Sequence, residues 1–235
     1  MLGYAAFFAI NIILPQWLQT QMGYTAIWAG LAAAPMGFLP LLLTPIVGRY
    51  ANRVDLRILA SLSFLTMGAS CLLRAQFNTS VDFRTIAEVQ MFMGIGVALF
   101  FMPITTIVLS NLHGNEVAEG SGLATFFRVL GGSFASSLTT WLWSRREIYH
   151  HANLTESVSV YHPPAMDYLH KMGGVTQQHL AAVDKTIEQQ AYMMSTIDYF
   201  WLLGWGFMAL VVIMWFAKPP CVRPGAPGVP PSAAH

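Results

Sequence analysis

The sequence predicts an all-α integral membrane protein with six transmembrane helices. Three observations predict it. Only 10% of the residues are charged and 55% are hydrophobic, with a mean hydropathy of +0.51, whereas a soluble domain carries about 25% charge. Charge is also kept out of long stretches. Residues 1–48 hold no Asp, Glu, Lys or Arg, the first charge is Arg49, and 58–73, 89–115, 129–144 and 199–217 are equally free of them. Finally, each such stretch approaches the ~20 apolar residues that cross ~30 Å of hydrocarbon, where a backbone must satisfy its own hydrogen bonds and so becomes helical.

The elements follow in order. Spans are expected at 2–20, 27–48, 57–76, 86–112, 119–143 and 195–217, separated by polar turns at Gly23-Tyr24-Thr25, Arg49 to Arg57, Asn78 to Arg84 and His113 to Gly122. This gives five spans in 1–144, an extramembrane segment at 145–194, a sixth span at 195–217 and a disordered Pro- and Gly-rich tail at 218–235. Within 145–194, Thr176 reads as an N-cap. Leu180, Val183, Ile187, Ala191 and Met194 then form one apolar stripe of an amphipathic helix, which either enters the last span or lies on the membrane surface. Pro15, Pro35, Pro40, Pro45 and Pro103 fall inside spans and remove backbone donors. Pro35 and Pro40, with Gly30 and Gly37, predict an irregular second span.

Residues 1–20 lack the basic region of a signal peptide. Their abrupt apolar start suggests the back part of a longer protein. Lys and Arg in short loops set orientation. The concentration of Arg49, Arg53 and Arg57 in one tight turn places that turn in the cytoplasm.

Composition and motifs exclude several functions. A net charge of +1 gives no field for nucleic acid. The sequence has no phosphate-binding loop, zinc-protease helix, nucleophile elbow or paired-cysteine motif, so no enzymatic activity and no cofactor is expected. Cys71 and Cys221 have no partner spacing, and His150, His151, His162, His170 and His179 match no metal site.

Arg128 carries the most information. It stands about ten residues into the fifth span, where a charge costs ~2.5–3.5 kcal/mol and therefore faces the protein interior or a water-filled cavity. Two readings stand: a cavity cation that binds substrate or tunes a carboxylate, and a packing residue bonded to carbonyls or snorkelling to the surface. Gly132 and Ser136 form a small-x-x-x-small pair for close helix approach. Asn11 and Gln90 are polar candidates for the interior, and Met93, Phe100 and Pro103 belong to a Met- and Phe-rich span suited to adaptable binding or to ordinary packing. Gly48, Arg49, Arg53, Asp55 and Arg57 form a charged turn that reads either as a gate latch or as a topogenic turn.

Several motifs together carry a family resemblance: Leu14-Pro15-Gln16, Gly23-Tyr24-Thr25-Ala26, Trp28-Ala29-Gly30-Leu31, Ala34-Pro35-Met36-Gly37, Pro45-Ile46-Val47-Gly48-Arg49, Phe100-Phe101-Met102-Pro103, Thr105-Thr106-Ile107 and Arg128 with Gly132-Ser133. Further along, His150-His151, Leu154-Thr155-Glu156-Ser157 and Trp215-Phe216-Ala217-Lys218-Pro219-Pro220 continue it. The chain resembles the carboxy-terminal six spans of the EmrB/QacA-type drug:proton antiporters, fourteen-span members of the major facilitator superfamily, and among them the EmrB type. The resemblance implies half of a two-half transporter fold. Spans 2–20, 27–48, 86–112 and 119–143 would then line or flank the cavity, with a gate at Arg49–Arg57 and a periplasmic loop at 145–194. It implies export of hydrophobic drugs against proton entry across a bacterial inner membrane, with a periplasmic adaptor and an outer-membrane channel as partners. A scaffold that only recruits an adaptor, and an exporter of an endogenous metabolite, are the alternatives. The family's first eight spans, with its main proton-carrying carboxylates, have no counterpart in these residues, so this chain alone is expected not to perform coupled transport. Thr125 stands where the family often has Asn.

Overall fold

The computed structural model describes residues 1–51, 55–109, 116–157 and 176–216. Arg53 of the expected gate, His162, His170 and the tail from 217 lie outside them. Among the described residues the chain forms helices and no strand: α1 (Leu2–Thr20), α2 (Ala26–Ala33), α3 (Pro35–Ala51), α4 (Leu56–Arg74), α5 (Phe83–Leu109), α6 (Val117–Ser157) and α7 (Gln177–Phe216).

The turns have local causes. After α1, Gly23 takes the left-handed φ of +69° that reverses the chain. Thr25 then caps α2, accepting from the Trp28 N–H. Asp55 caps α4, its Oδ1 accepting from the Arg57 N–H at 3.1 Å. The irregularity expected in the second span falls at Ala34, where α2 ends and Pro35 opens α3; the two pieces still form one apolar rod, Ala26–Arg49.

That rod, Leu56–Arg74, Phe83–Val108 and Leu180–Phe216 are long and apolar enough to cross a membrane. α1 and α6 complete the six rods. They fall outside that group because Asn11, Gln16 and Gln19 dilute α1, while Arg128 and a run of glycine, serine and threonine dilute α6. Both pack lengthwise against the spanning helices, so a membrane around those encloses them too.

The rods pack in the order α3, α5, α4, α7, α6, α1, with α1 also touching α7 and α2. The core lies where α1, α4, α5 and α7 converge. Ile10, Ile13, Phe64, Met67, Met93, Phe100, Phe200 and Phe207 are buried there.

One helix end differs from the sequence reading and one helix start agrees with it. The helix that carries the fifth span does not stop near 143: α6 continues to Ser157. The amphipathic helix expected after Thr176 enters the last span, the first of its two readings: α7 runs unbroken from Gln177 to Phe216. Residues 145–157 and 177–194 are therefore continuations of two spanning helices. Polarity ends a hydrophobic span, but it does not end a helix. Of the expected stripe on α7, Ala191 is buried, Val183 and Ile187 are half-buried, and Leu180 and Met194 are exposed.

Candidate transport site

α1 presents Tyr4, Phe7, Phe8 and Asn11 at spacings of three and four, hence on one face. Phe7 stacks on Phe100 at 5.3 Å and meets Phe101 edge-on at 5.2 Å. Tyr4 meets Phe100 edge-on at 5.3 Å. Phe100 has no exposed surface, whereas Phe101 and Phe8 are exposed. Phe100 is thus the back of an aromatic wall whose front is Phe101, Phe7 and Phe8. Asn11 is half-buried beside it and donates Nδ2–H to the Phe7 carbonyl at 2.7 Å.

α6 closes the wall. A Cβ at Gly132 would stand 3.0 Å from the Phe8 ring, and one at Gly131 would stand 3.2 Å from the Met1 carbonyl oxygen. Those close approaches are what the small residues permit. Arg128 lies one turn before them, on the same stripe as Gly131, Ala135 and Thr139. It is half-buried and makes no hydrogen bond or ion pair with the described residues. Its guanidinium therefore keeps its donors for water or an incoming group.

The other sequence candidates fall elsewhere. Met93 has no exposed surface and Gln90 is 3% exposed. Gln90 turns to Arg74 of α4, and Met93 lies in the same buried core cluster as Phe100. Gln90 Oε1 accepts from the Arg74 guanidinium, which lies over the Phe200 ring at 5.4 Å. Arg74 is itself 1% exposed. The sequence shows it only as a loop-flanking charge, because its partners come from two other helices. Pro103 is buried within an unbroken α5. It removes the N–H that would bond the Leu99 carbonyl.

At the charged turn, Gly48 and Arg57 are half-buried and Arg49 is exposed in the last turn of α3. There its charge complements the helix dipole. Asp55 is engaged as a helix cap. Past Ser144, α6 exchanges polar contacts with α7. Asp198 accepts from His150 at 2.8 Å and pairs with Arg146 at 3.4 Å. His151 pairs with Asp184 at 3.5 Å. Burial pushes the Glu147 carboxyl above its ordinary value, His151 pulls it down, and Glu188 pushes it up. Among the described residues no group of His, Cys, Asp and Glu could hold a metal.

An aromatic wall and an amide on α1 and α5, with an arginine on the α6 stripe packed against α1, thus stand on neighbouring helices. The sequence profile described as the Major Facilitator Superfamily matches residues 1–144. The chain belongs to that superfamily. It is also 41% identical over 231 residues to the multidrug export protein EmrB of Escherichia coli (strain K12), covering 97% of this chain and 45% of that protein. It is 40% identical over 223 residues to EmrB of Haemophilus influenzae, covering 93% and 44%. The fatty acid resistance protein FarB of Neisseria gonorrhoeae is 39% identical over 223 residues, covering 93% and 44%. The chain thus spans under half the length of the curated relatives it matches. It is a multi-pass membrane protein of the transporter superfamily.

Proposed function

We propose that this chain is the carboxy-terminal half of a proton-coupled exporter of hydrophobic drugs in a bacterial inner membrane. The similarity to EmrB over 97% of the chain carries the reading. The wall of Phe7, Phe8 and Phe101 supplies adaptable apolar contact, which suits varied substrates. Arg128, on the α6 stripe that packs against α1, binds the polar end of a substrate or holds a neighbouring carboxylate ionised. Asn11 adds a polar contact once its bond to its own helix is released.

The reading requires a companion half. The exposed faces of α3 and α6 carry Phe38, Leu41, Ile46, Phe126, Phe134 and Trp141. Such a surface fits a second set of helices or lipid. The principal proton-carrying carboxylates belong to that companion. The charged turn at Gly48, Arg49, Arg53, Asp55 and Arg57 is the cytoplasmic gate. The extended α6–α7 pair faces the periplasm, where an adaptor leading to an outer-membrane channel docks. The similarity to FarB extends the substrate class to apolar anions, for which Arg128 is the counter-ion.

The test is transport of a fluorescent hydrophobic drug into inside-out proteoliposomes under an imposed proton gradient. Proteoliposomes holding this chain with the amino-terminal spans of EmrB should accumulate the drug. Replacing Arg128 with Gln should lower the rate about tenfold, the loss of one charged hydrogen bond. Accumulation by this chain alone would refute the need for a companion. No accumulation with the companion present would refute the export reading.

A further inference from the structure

Two adjoining cavities follow the outer side of the α6–α7 seam. One has a volume of 240 Å³ and is bounded by Arg146, Asp198, Trp201 and Trp205. The other, 260 Å³, passes Leu138 and Gly206 to reach Leu210, with Ala5 and Ala9 of α1 as its floor. Leu142, Tyr199 and Leu202 line both, so the two form one groove.

The groove is graded along its length. At its polar end Asp198 is already engaged by His150 and by Arg146 Nε. The Arg146 side chain is 52% exposed, and its terminal nitrogens make no hydrogen bond with the described residues. It therefore offers a cation with open donors, and a guanidinium matches phosphate in geometry. Below it, the Trp201 and Trp205 rings lie 5.8 Å apart, both exposed, in the amphipathic role indoles play at a membrane interface. From Asp198 to Leu210 the helix rises about 18 Å, slightly more than half of a ~30 Å hydrocarbon core. Cation, indoles and apolar channel thus match the depth profile of a single leaflet.

We propose that this groove holds one membrane phospholipid, its phosphate on the Arg146 guanidinium and one acyl chain between Leu138, Leu202 and Gly206. The inference rests on the chain spanning a membrane and is independent of what it transports. The lipid seals a gap that side chains leave open and fixes the depth of the α6–α7 pair.

Native mass spectrometry of the delipidated full chain tests it, with phosphatidylglycerol titrated in mild detergent. Diacylglycerol, which lacks the phosphate, and oleate, which is a free fatty acid, are the comparison probes. Two variants bracket the groove: Arg146→Gln at the head and Gly206→Leu in the channel. A Cβ at Gly206 meets nothing within 4 Å, so the larger side chain enters the groove without disturbing packing. Gly122→Leu is the control, since that site is equally open and lies at the other end of α6. The expected result is one bound phosphatidylglycerol, weakened about tenfold by each groove variant and unchanged by the control. If Arg146→Gln fails to fold, Gly206→Leu decides alone. Undiminished binding in Gly206→Leu, or equal binding of diacylglycerol or oleate, would overturn the proposal.

Discussion

The two flanks of the bundle are held in opposite ways. On one side α6 is tied to α7 and α1 by side-chain hydrogen bonds. Ser195 Oγ donates to the Trp143 carbonyl at 2.6 Å, and Trp143 Nε1 donates to Thr196 at 3.0 Å. Tyr199 sits between Thr139, at 2.6 Å, and the Ala9 carbonyl, at 2.9 Å. On the other side α3 rests on α5 through apolar surface, closest where Gly94 faces Leu39 and the Met36 carbonyl. The polar side chains of α2 and α3 serve their own turns: Thr25 caps, and Thr44 donates to the Pro40 carbonyl at 2.6 Å. Lipid tails are as apolar as leucine, so apolar contact alone does not favour one neighbour over another. A flank with no polar tie among the described residues can slide, and a flank with such ties moves as a unit.

The largest effect is expected where the loose flank is tightest. A Cβ at Gly94 would stand 3.0 Å from Leu39 Cβ and 3.1 Å from the Met36 carbonyl oxygen. Gly94→Leu should therefore push α3 off α5, costing about 1–3 kcal/mol by overpacking. Thermal melting in detergent would show it, and an unchanged melt would mean the flank is already open. On the tied flank, Tyr199→Phe leaves Thr139 and Ala9 without their partner and should cost about 1–2 kcal/mol. Ser195→Ala, at the edge of the same seam, should cost only about 0.6 kcal/mol. Equal losses from the two would mean the seam is a set of independent bonds rather than one centred on Tyr199.

A smaller effect sharpens the comparison at the extended ends. Burial and Glu188 hold the Glu147 carboxyl above its ordinary value. A carboxyl raised in the folded state weighs against folding while it is ionised. Lowering pH from neutral through the raised value towards the ordinary 4.5 should relieve that weight and stabilise the α6–α7 pair. Glu147→Gln should remove this part of the pH response. Melting both proteins at neutral and mildly acidic pH checks it, and identical responses would show that Glu147 bears no strain.

Much of the fold was legible because the bilayer imposes it. The spans follow from charge-free lengths, and the chain reversals follow from Gly23, Thr25 and Asp55. Thr176 marked the start of α7, but local pattern did not reveal that α6 continues past its span. Arg145, Arg146, Glu147, His150 and His151 are compatible with a helix and incompatible with hydrocarbon, so they mark the membrane edge inside a continuing α6. Of the candidate residues, Asn11 shares the α1 face that carries the aromatic wall, and Arg128 shares the α6 stripe that packs against α1. Gln90, Met93 and Phe100 are buried, since which face of α5 is covered depends on how α4, α1 and the distant α7 pack on it. Arg74 was missed for the same reason. Tyr4, Phe7 and Phe8 carried a usable signal in their helical spacing, which their apolar surroundings concealed.

The central claim is that α3 moves while the α6–α7 seam does not. Spin-label distances test it most directly, in the chain assembled with the amino-terminal spans of EmrB in vesicles, with and without a proton gradient. One pair would join Leu41 on α3 to Met91 on α5, and the other would join Leu138 on α6 to Leu202 on α7. All four side chains are exposed. The account predicts that the first distance shifts or broadens when the gradient is applied and that the second stays fixed. A shift across the α6–α7 seam with α3 and α5 unmoved would contradict it.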